Sequence, residues 1–158
     1  MATLGFITGL SEVALAVRDV AASARFYTEV VGLTPEAPAA DWGASFMLGP
    51  PTRQQRLILL SRSLPPLDQR HKAPAVVEAS PSAGSVTSSF TPAQLGRTHF
   101  ALRVPRGSLE QAVDRVRRHG VEVSGPVYFG WMKATAYYFF DPDGHVVEFW
   151  SPDAEPSE

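Results

Sequence analysis

Polar and apolar positions along the chain fall into two passages of the same form. The segment Glu12-Val13-Ala14-Leu15-Ala16-Val17 recurs in pattern as His99-Phe100-Ala101-Leu102-Arg103-Val104, displaced by 87 residues. Each is a strand-like apolar run, and each is followed by a helical stretch. In the first, Asp19 stands as an N-cap, Ala22, Phe26 and Val30 recur at i, i+4 and i+8, and Gly32 occupies the left-handed C-cap position. The second repeats the plan with Ser108 as cap, Leu109, Ala112, Val113 and Val116 as the buried stripe and Gly120 as the stop. Short strand candidates broken by Pro and Gly follow: Leu33 to Pro35, Ala44 to Leu48 and Arg56 to Ser61 in the first half, then Val121 to Val123, Lys133 to Phe140 and Val146 to Trp150 in the second. Each half therefore reads as strand, helix, strand, strand, strand, an α+β chain of two βαβββ modules spanning 7–61 and 97–152. A half-sheet of this kind leaves one apolar face in need of cover, and the duplication predicts that each half covers the other, with a site at the seam.

Between the halves, residues 62–96 hold five prolines and six serines among few large apolar residues. Such a stretch cannot bury enough surface to form its own core, so it reads as a long loop, either a plain linker or a flap over a pocket. Residues 153–158 read as a polar, frayed tail. The whole is expected to be one domain, as suits 158 residues.

Composition narrows the function. Fourteen basic against sixteen acidic side chains give a formal charge of −2, so no broad positive field exists to hold nucleic acid. Purely apolar stretches such as Val13 to Val17 fall far short of the roughly 20 residues of a membrane span. The first positive charge is Arg18, so the N-terminus lacks the layout of a secretory signal, and the absence of cysteine is compatible with a reducing cytoplasm. A cytoplasmic protein with a small-molecule partner, and neither nucleic acid nor membrane, is the expectation.

Polar residues stranded inside strand patterns are what a core-only account leaves over. Glu12 heads the first strand, His99 heads its repeat, and Glu148 interrupts Val146-Val147-Glu148-Phe149-Trp150. Strand alternation puts Glu12 with Ala14 and Ala16, His99 with Ala101 and Arg103, and Glu148 with Val146 and Trp150. An imidazole and two carboxylates gathered in a partly apolar cup repel and desolvate one another unless a cation joins them. A divalent ion such as Mn²⁺, Fe²⁺, Co²⁺, Ni²⁺ or Zn²⁺ suits one histidine and two carboxylates. The plainer alternatives are a hydrogen-bonded His99 and a Glu12 that faces water. Asp141-Pro142-Asp143-Gly144 is a β-turn, His145 belongs to that turn or to solvent, His119 caps a helix, and Arg115, Arg117 and Arg118 form a solvated helix face. His71, in the insert, is a candidate lid ligand.

The strings Val13-Ala14-Leu15-Ala16-Val17-Arg18-Asp19, Phe26-Tyr27, Val31-Gly32-Leu33, Thr98-His99-Phe100-Ala101-Leu102 and Phe140-Asp141-Pro142-Asp143-Gly144-His145-Val146-Val147-Glu148 closely resemble the vicinal oxygen chelate superfamily. Its members include glyoxalase I, extradiol dioxygenases, fosfomycin-resistance enzymes, methylmalonyl-CoA epimerase and bleomycin-resistance proteins. The resemblance implies paired βαβββ modules forming an incomplete, U-shaped mixed β-barrel, with metal and substrate in its cup. It matches Glu12, His99 and Glu148 to the family's metal ligands. The place of a fourth ligand falls on the apolar Leu57-Ile58-Leu59-Leu60, which counts against a glyoxalase I proper. The open coordination positions would take a substrate's adjacent oxygen atoms. Glu148 or Glu12 would serve as a base, and Tyr138, placed where some ring-cleaving relatives carry a tyrosine, as a donor to a substrate oxygen. Trp42, Phe46, Phe129 and Trp131 are candidates for lining a ligand pocket, with core packing the alternative. The functional expectations are a small metal-dependent lyase or isomerase acting by proton transfer or addition-elimination, a metal-free binding protein of the bleomycin-resistance type, or an extradiol dioxygenase. A homodimer is expected, formed with modules paired within a chain or exchanged between chains.

Overall fold

The computed structural model describes residues 10–50, 55–63 and 99–154. The insert predicted at 62–96, with His71, lies almost entirely outside them, as does the end of the tail. The chain divides into two compact units, Met1–Gln69 and Arg70–Glu158, with the boundary inside the predicted insert.

In the first unit, β1 (Glu12–Val17) leads into α1 (Val20–Arg25), which continues as a π-helical turn over Phe26–Val31. The Asp19 carboxylate accepts from the Ala22 N–H at 2.9 Å, so the predicted N-cap is present. Gly32 closes the helical passage at φ 90, and its N–H bonds to the Tyr27 carbonyl. The buried stripe is Val20, Ser23, Phe26, Tyr27 and Val30, while Ala22 is exposed, contrary to expectation. Ala22 and Ser23 are both small, and the turn angle set by Val20 points the serine rather than the alanine at the sheet. That sheet runs β1-β3-β2, with β2 at Gly43–Leu48 and β3 at Gln55–Ser61, parallel between β1 and β3 and antiparallel between β3 and β2. Its core lies on the helix side, where Leu15, Val17, Tyr27, Phe46, Leu57 and Leu59 are buried. The strand predicted at 33–35 reduces to a single bridge between Pro35 and Phe46. Pro35 has no N–H to donate, so a ladder cannot extend through it.

The second unit realises the whole module. β4 (His99–Arg103) is followed by a 3₁₀ turn at Arg106–Ser108, α2 (Leu109–Arg118), β5 (Ser124–Phe129), β6 (Ala134–Phe140) and β7 (Val146–Pro152). The strand order is β4-β7-β6-β5, with β4 parallel to β7 and the other pairs antiparallel. In α2, Leu109, Val113 and Val116 are buried as expected while Ala112 is only half-buried, and Arg115, Arg117 and Arg118 lie in the last turn where the helix dipole favours cations. His119 Nδ1 lies 2.9 Å from the Arg115 carbonyl, the predicted capping role. Ser108 makes no side-chain capping bond, because the 3₁₀ turn carries the chain into the helix and its own N–H bonds to Pro105. The strand predicted at 121–123 forms at Ser124 instead, and its register shifts between Ser124 and Val127. Gly125 allows this: its φ is +122, and a Cβ there would lie 2.9 Å from both the Ala136 carbonyl oxygen and the Tyr137 ring. Asp153 is anchored rather than frayed, with the Arg106 guanidinium at 2.6 Å and the Tyr128 hydroxyl at 2.9 Å.

The β6–β7 turn is fastened by one side chain. Asp141 Oδ1 accepts from the N–H groups of Asp143 at 2.9 Å and His145 at 2.8 Å, and Oδ2 lies 2.8 Å from His145 Nδ1. Its side chain is fully buried. Asp141→Ala strips partners from two backbone donors at once and is expected to cost about 2–4 kcal/mol in urea unfolding, with Asp141→Asn recovering part of the loss. Equal stability of wild type and the alanine variant would show that the turn forms without this carboxylate.

Candidate functional site

β7 positions the central side chain. Its pairing with β6 sets Tyr138 directly opposite Glu148, and its parallel pairing with β4 sets Ala101 opposite Glu148 and His99 two residues earlier on the same face. The outcome is a polar trio. His99 Nε2 lies 3.2 Å from Glu148 Oε2, the Tyr138 hydroxyl donates to Glu148 Oε1 at 3.2 Å, and the His99 and Tyr138 rings meet edge to face at 6.1 Å. Glu148 and Tyr138 are buried, whereas the His99 side chain is about one-third exposed and forms the open side of the trio. Tyr138 thus packs in the sheet, and its hydroxyl is directed to Glu148.

Electrostatics follow from this placement. Burial pushes the Glu148 carboxyl above the ordinary glutamate range, and the His99 charge and the Tyr138 hydroxyl draw it partly back. Burial, reinforced by the Glu148 charge, pushes the Tyr138 phenol upward, so that it remains a donor at neutral pH. Beside the trio lies an apolar cluster of Ala136, Tyr138 and Val146, against which Val127, Phe129 and Phe140 pack. Phe129 is thus packed against the apolar cluster that includes the Tyr138 ring. Trp131, four-fifths exposed, stands in the turn between β5 and β6.

Glu12 belongs to the first unit, exposed at the head of β1 on the same face as Ala14 and Ala16. That face lines an open cavity of about 840 Å³, bordered also by Trp42, Ile58 and Leu60. Ile58 and Leu60 turn to the cavity while Leu57 and Leu59 are fully buried on the opposite face, so the stretch that lacks a fourth ligand presents hydrocarbon there. Phe46 does not line this cavity. It is fully buried with its ring 6.1 Å from that of Tyr27, and has no surface to offer a ligand. The alternation of β2 sends it to the helix side while its neighbour Ser45 reaches the cavity.

A second polar group at the cavity was not anticipated. Arg56 Nε donates to both Glu36 oxygens, at 3.1 and 3.0 Å, and the Ser45 hydroxyl donates to Glu36 Oε2 at 2.8 Å. These bonds, that to Arg56 first, hold the Glu36 carboxyl below its ordinary range. The usable signal was register, since parallel pairing of β1 with β3 sets Arg56 opposite Glu12. Among the described residues, no three His, Asp or Glu side chains form a ready-made metal cluster. His99 and Glu148 are brought together within the second unit, and Glu12 stands in the first.

With this geometry in view, the comparisons assign the family. The model of the Glyoxalase/Bleomycin resistance protein/Dioxygenase superfamily matches residues 9–149, and the chain belongs to that superfamily. An integron cassette protein from the metagenome of the Halifax Harbour sewage outfall is similar at 25% identity and TM-score 0.62, over 92% of this chain and 99% of that one. The lactoylglutathione lyase of Agrobacterium tumefaciens shares 20% identity at TM-score 0.61, over 93% and 96% of the two chains. The fosfomycin resistance protein FosX of Listeria monocytogenes, solved with Mn(II) and a dihydroxypropylphosphonic acid, shares 16% at TM-score 0.58, over 91% and 90%. No curated protein matches the sequence. Among the described residues, no helix is long and apolar enough to cross a membrane.

Because the folded chain holds the Glu148 proton more tightly than the unfolded chain does, stability without metal falls as pH rises from the ordinary glutamate range through the raised value. Glu148→Gln, which keeps an acceptor without the charge, is expected to flatten that slope and to stabilise the metal-free protein at neutral pH by about 1 kcal/mol. Urea unfolding at a series of pH values reads both effects. A variant as pH-dependent as wild type would show that Glu148 is not the desolvated carboxylate described.

Proposed function

We propose that the protein is a small enzyme that uses a divalent cation to act on a compound with adjacent oxygen atoms, by proton transfer, isomerisation or addition-elimination. His99 and Glu148 are two of its protein ligands, with Glu12, at the repeat-equivalent position of His99, as the third. The observation that carries this reading is the 3.2 Å approach of the His99 imidazole to a Glu148 carboxylate that burial disfavours as an anion. The donor set fits: one imidazole nitrogen and carboxylate oxygens suit a borderline or hard ion, and a cation offsets the desolvation that Glu148 otherwise bears. When bound, such an ion supplies Lewis-acid polarisation of the substrate's neighbouring oxygens. Superfamily membership and the manganese recorded for the FosX relative support the reading.

The chain's own groups divide the remaining work. Tyr138, kept protonated, donates to Glu148 and fixes the direction in which its second oxygen faces His99. Glu148 or Glu12, the latter exposed on the cavity face, would accept a proton from a substrate carbon and return it. In the second unit, the apolar cluster of Ala136, Val146 and Phe129 against which Tyr138 packs limits water around the buried Glu148 carboxyl. A second reading, a metal-free protein that sequesters a small molecule, is favoured by the mainly apolar cavity of the first unit.

Metal uptake separates the two. Calorimetric titration of the chelator-treated protein with Mn²⁺, Fe²⁺, Co²⁺, Ni²⁺ and Zn²⁺ in turn is expected to give one ion per chain for at least one of them. His99→Ala is expected to weaken that binding by about 100-fold, and Tyr138→Phe by about tenfold. Uptake of none of the five by wild type would overturn the metalloenzyme and leave the binding protein.

A further inference from the structure

The cavity of the first unit carries a more specific inference, which rests on that cavity being where the small molecule of the proposed function binds. Small side chains in its lining, among them Ala14, Ala16 and Ser45, leave about 840 Å³ open. That volume suits a bulky organic molecule rather than a three-carbon one. Trp42 borders the space with its side chain well exposed, offering a flat aromatic face to a ring. The charged side chains of the lining are Glu12, Glu36, Arg56 and Arg62, and they sum to zero.

How those charges are arranged decides which ligand they accept. Arg56 is matched by Glu36, whose two oxygens both take its Nε–H, and Ser45 holds the carboxylate from the other side. Arg62 directs its Nε to the carbonyl of Ala16, at 3.3 Å. An anion entering the cavity meets the carboxylates of Glu12 and Glu36, with the charge of Arg56 already balanced by Glu36 and the Nε of Arg62 turned to the Ala16 carbonyl. An uncharged molecule meets hydrocarbon, an indole and the remaining guanidinium donors of Arg56, which suit a carbonyl or hydroxyl oxygen.

We propose that this cavity selects an uncharged, ring-bearing molecule with a carbonyl or hydroxyl oxygen, and that Glu36 determines the selection by neutralising Arg56. The carboxylate acts as a built-in counter-ion: it occupies the place a ligand's anionic group would take. Removing its charge converts the same cavity into one that accepts anions, with no change in volume.

The test uses two probes of one ring system, 2-naphthol and naphthalene-2-sulfonate, titrated calorimetrically into the full chain at neutral pH with chelator present. Wild type is expected to bind the naphthol and to bind the sulfonate at least about tenfold more weakly. Glu36→Gln, which keeps an acceptor for Ser45, is expected to strengthen sulfonate binding about tenfold and leave the naphthol within about twofold. Arg56→Gln disrupts the same pair without uncovering a cation and is expected to leave the sulfonate weak, which separates charge from local disorder. Ala16→Leu, on the exposed face of an edge strand, fills the floor and is expected to abolish naphthol binding, and Trp42→Ala to weaken it several-fold. Equal affinity of wild type for both probes, an unchanged ratio in Glu36→Gln, naphthol binding indifferent to Ala16→Leu, or binding of neither probe would each overturn the proposal. Metal uptake is measured separately on His99, so its failure leaves this result standing, and the reverse holds as well.

Discussion

The register of β7 is the constraint on which the polar centre of the second unit depends. The strand is shared by two partners, β6 on one side and β4 on the other: the first sets Tyr138 opposite Glu148, and the second sets His99 opposite Val146, two residues away on the same face. A slip of one residue would send Glu148 to the opposite face and part it from Tyr138 and His99 together. The Asp141 carboxylate guards against that slip by holding two backbone N–H groups and the His145 ring inside the turn. A turn with no chemistry of its own therefore sets the geometry of the residues that have some.

In the first unit the corresponding constraint is side-chain size along β1. Leu15 and Val17 anchor the strand to the helix-side core, while Ala14 and Ala16 leave the other face open. Pro35 reduces the predicted outer strand to one bridge, and the chain beyond it lends Glu36, Ala37, Pro38 and Ala40 to the cavity wall. The two units are thus built on one plan but present different faces. The second places a buried carboxylate, a phenol and an imidazole within hydrogen-bonding range, and the first a mainly hydrocarbon surface with a self-neutralised ion pair at its edge.

Much of this was legible. The 87-residue repeat placed two strand-helix units, and the Asp19 cap, the Gly32 and Gly120 stops and the α2 stripe all appear in the structure. The Tyr138–Glu148 pair was recoverable too, because a turn that sets Phe140 opposite Val146 sets Tyr138 opposite Glu148 by counting outward. For Phe46 the sequence left pocket and core open, because aromatic character marks both and only the direction of alternation in β2 distinguishes them. Ala22 was misplaced because alanine and serine are too small for polarity to decide which of them turns inward.

What the sequence determined by itself was local: alternation, caps, stops, and the presence of ionisable residues where a strand should be apolar. These depend on neighbours a few positions away, and the covalent chain supplies those neighbours before any folding. Tertiary structure decided at what distance ionisable groups meet. His99 and Glu148 are 49 residues apart in the chain and 3.2 Å apart in space, and Glu36 and Arg56 are 20 apart and joined by hydrogen bonds. Such pairs form only when strands distant in sequence settle into one register, and that register is chosen by the burial of all their apolar side chains together.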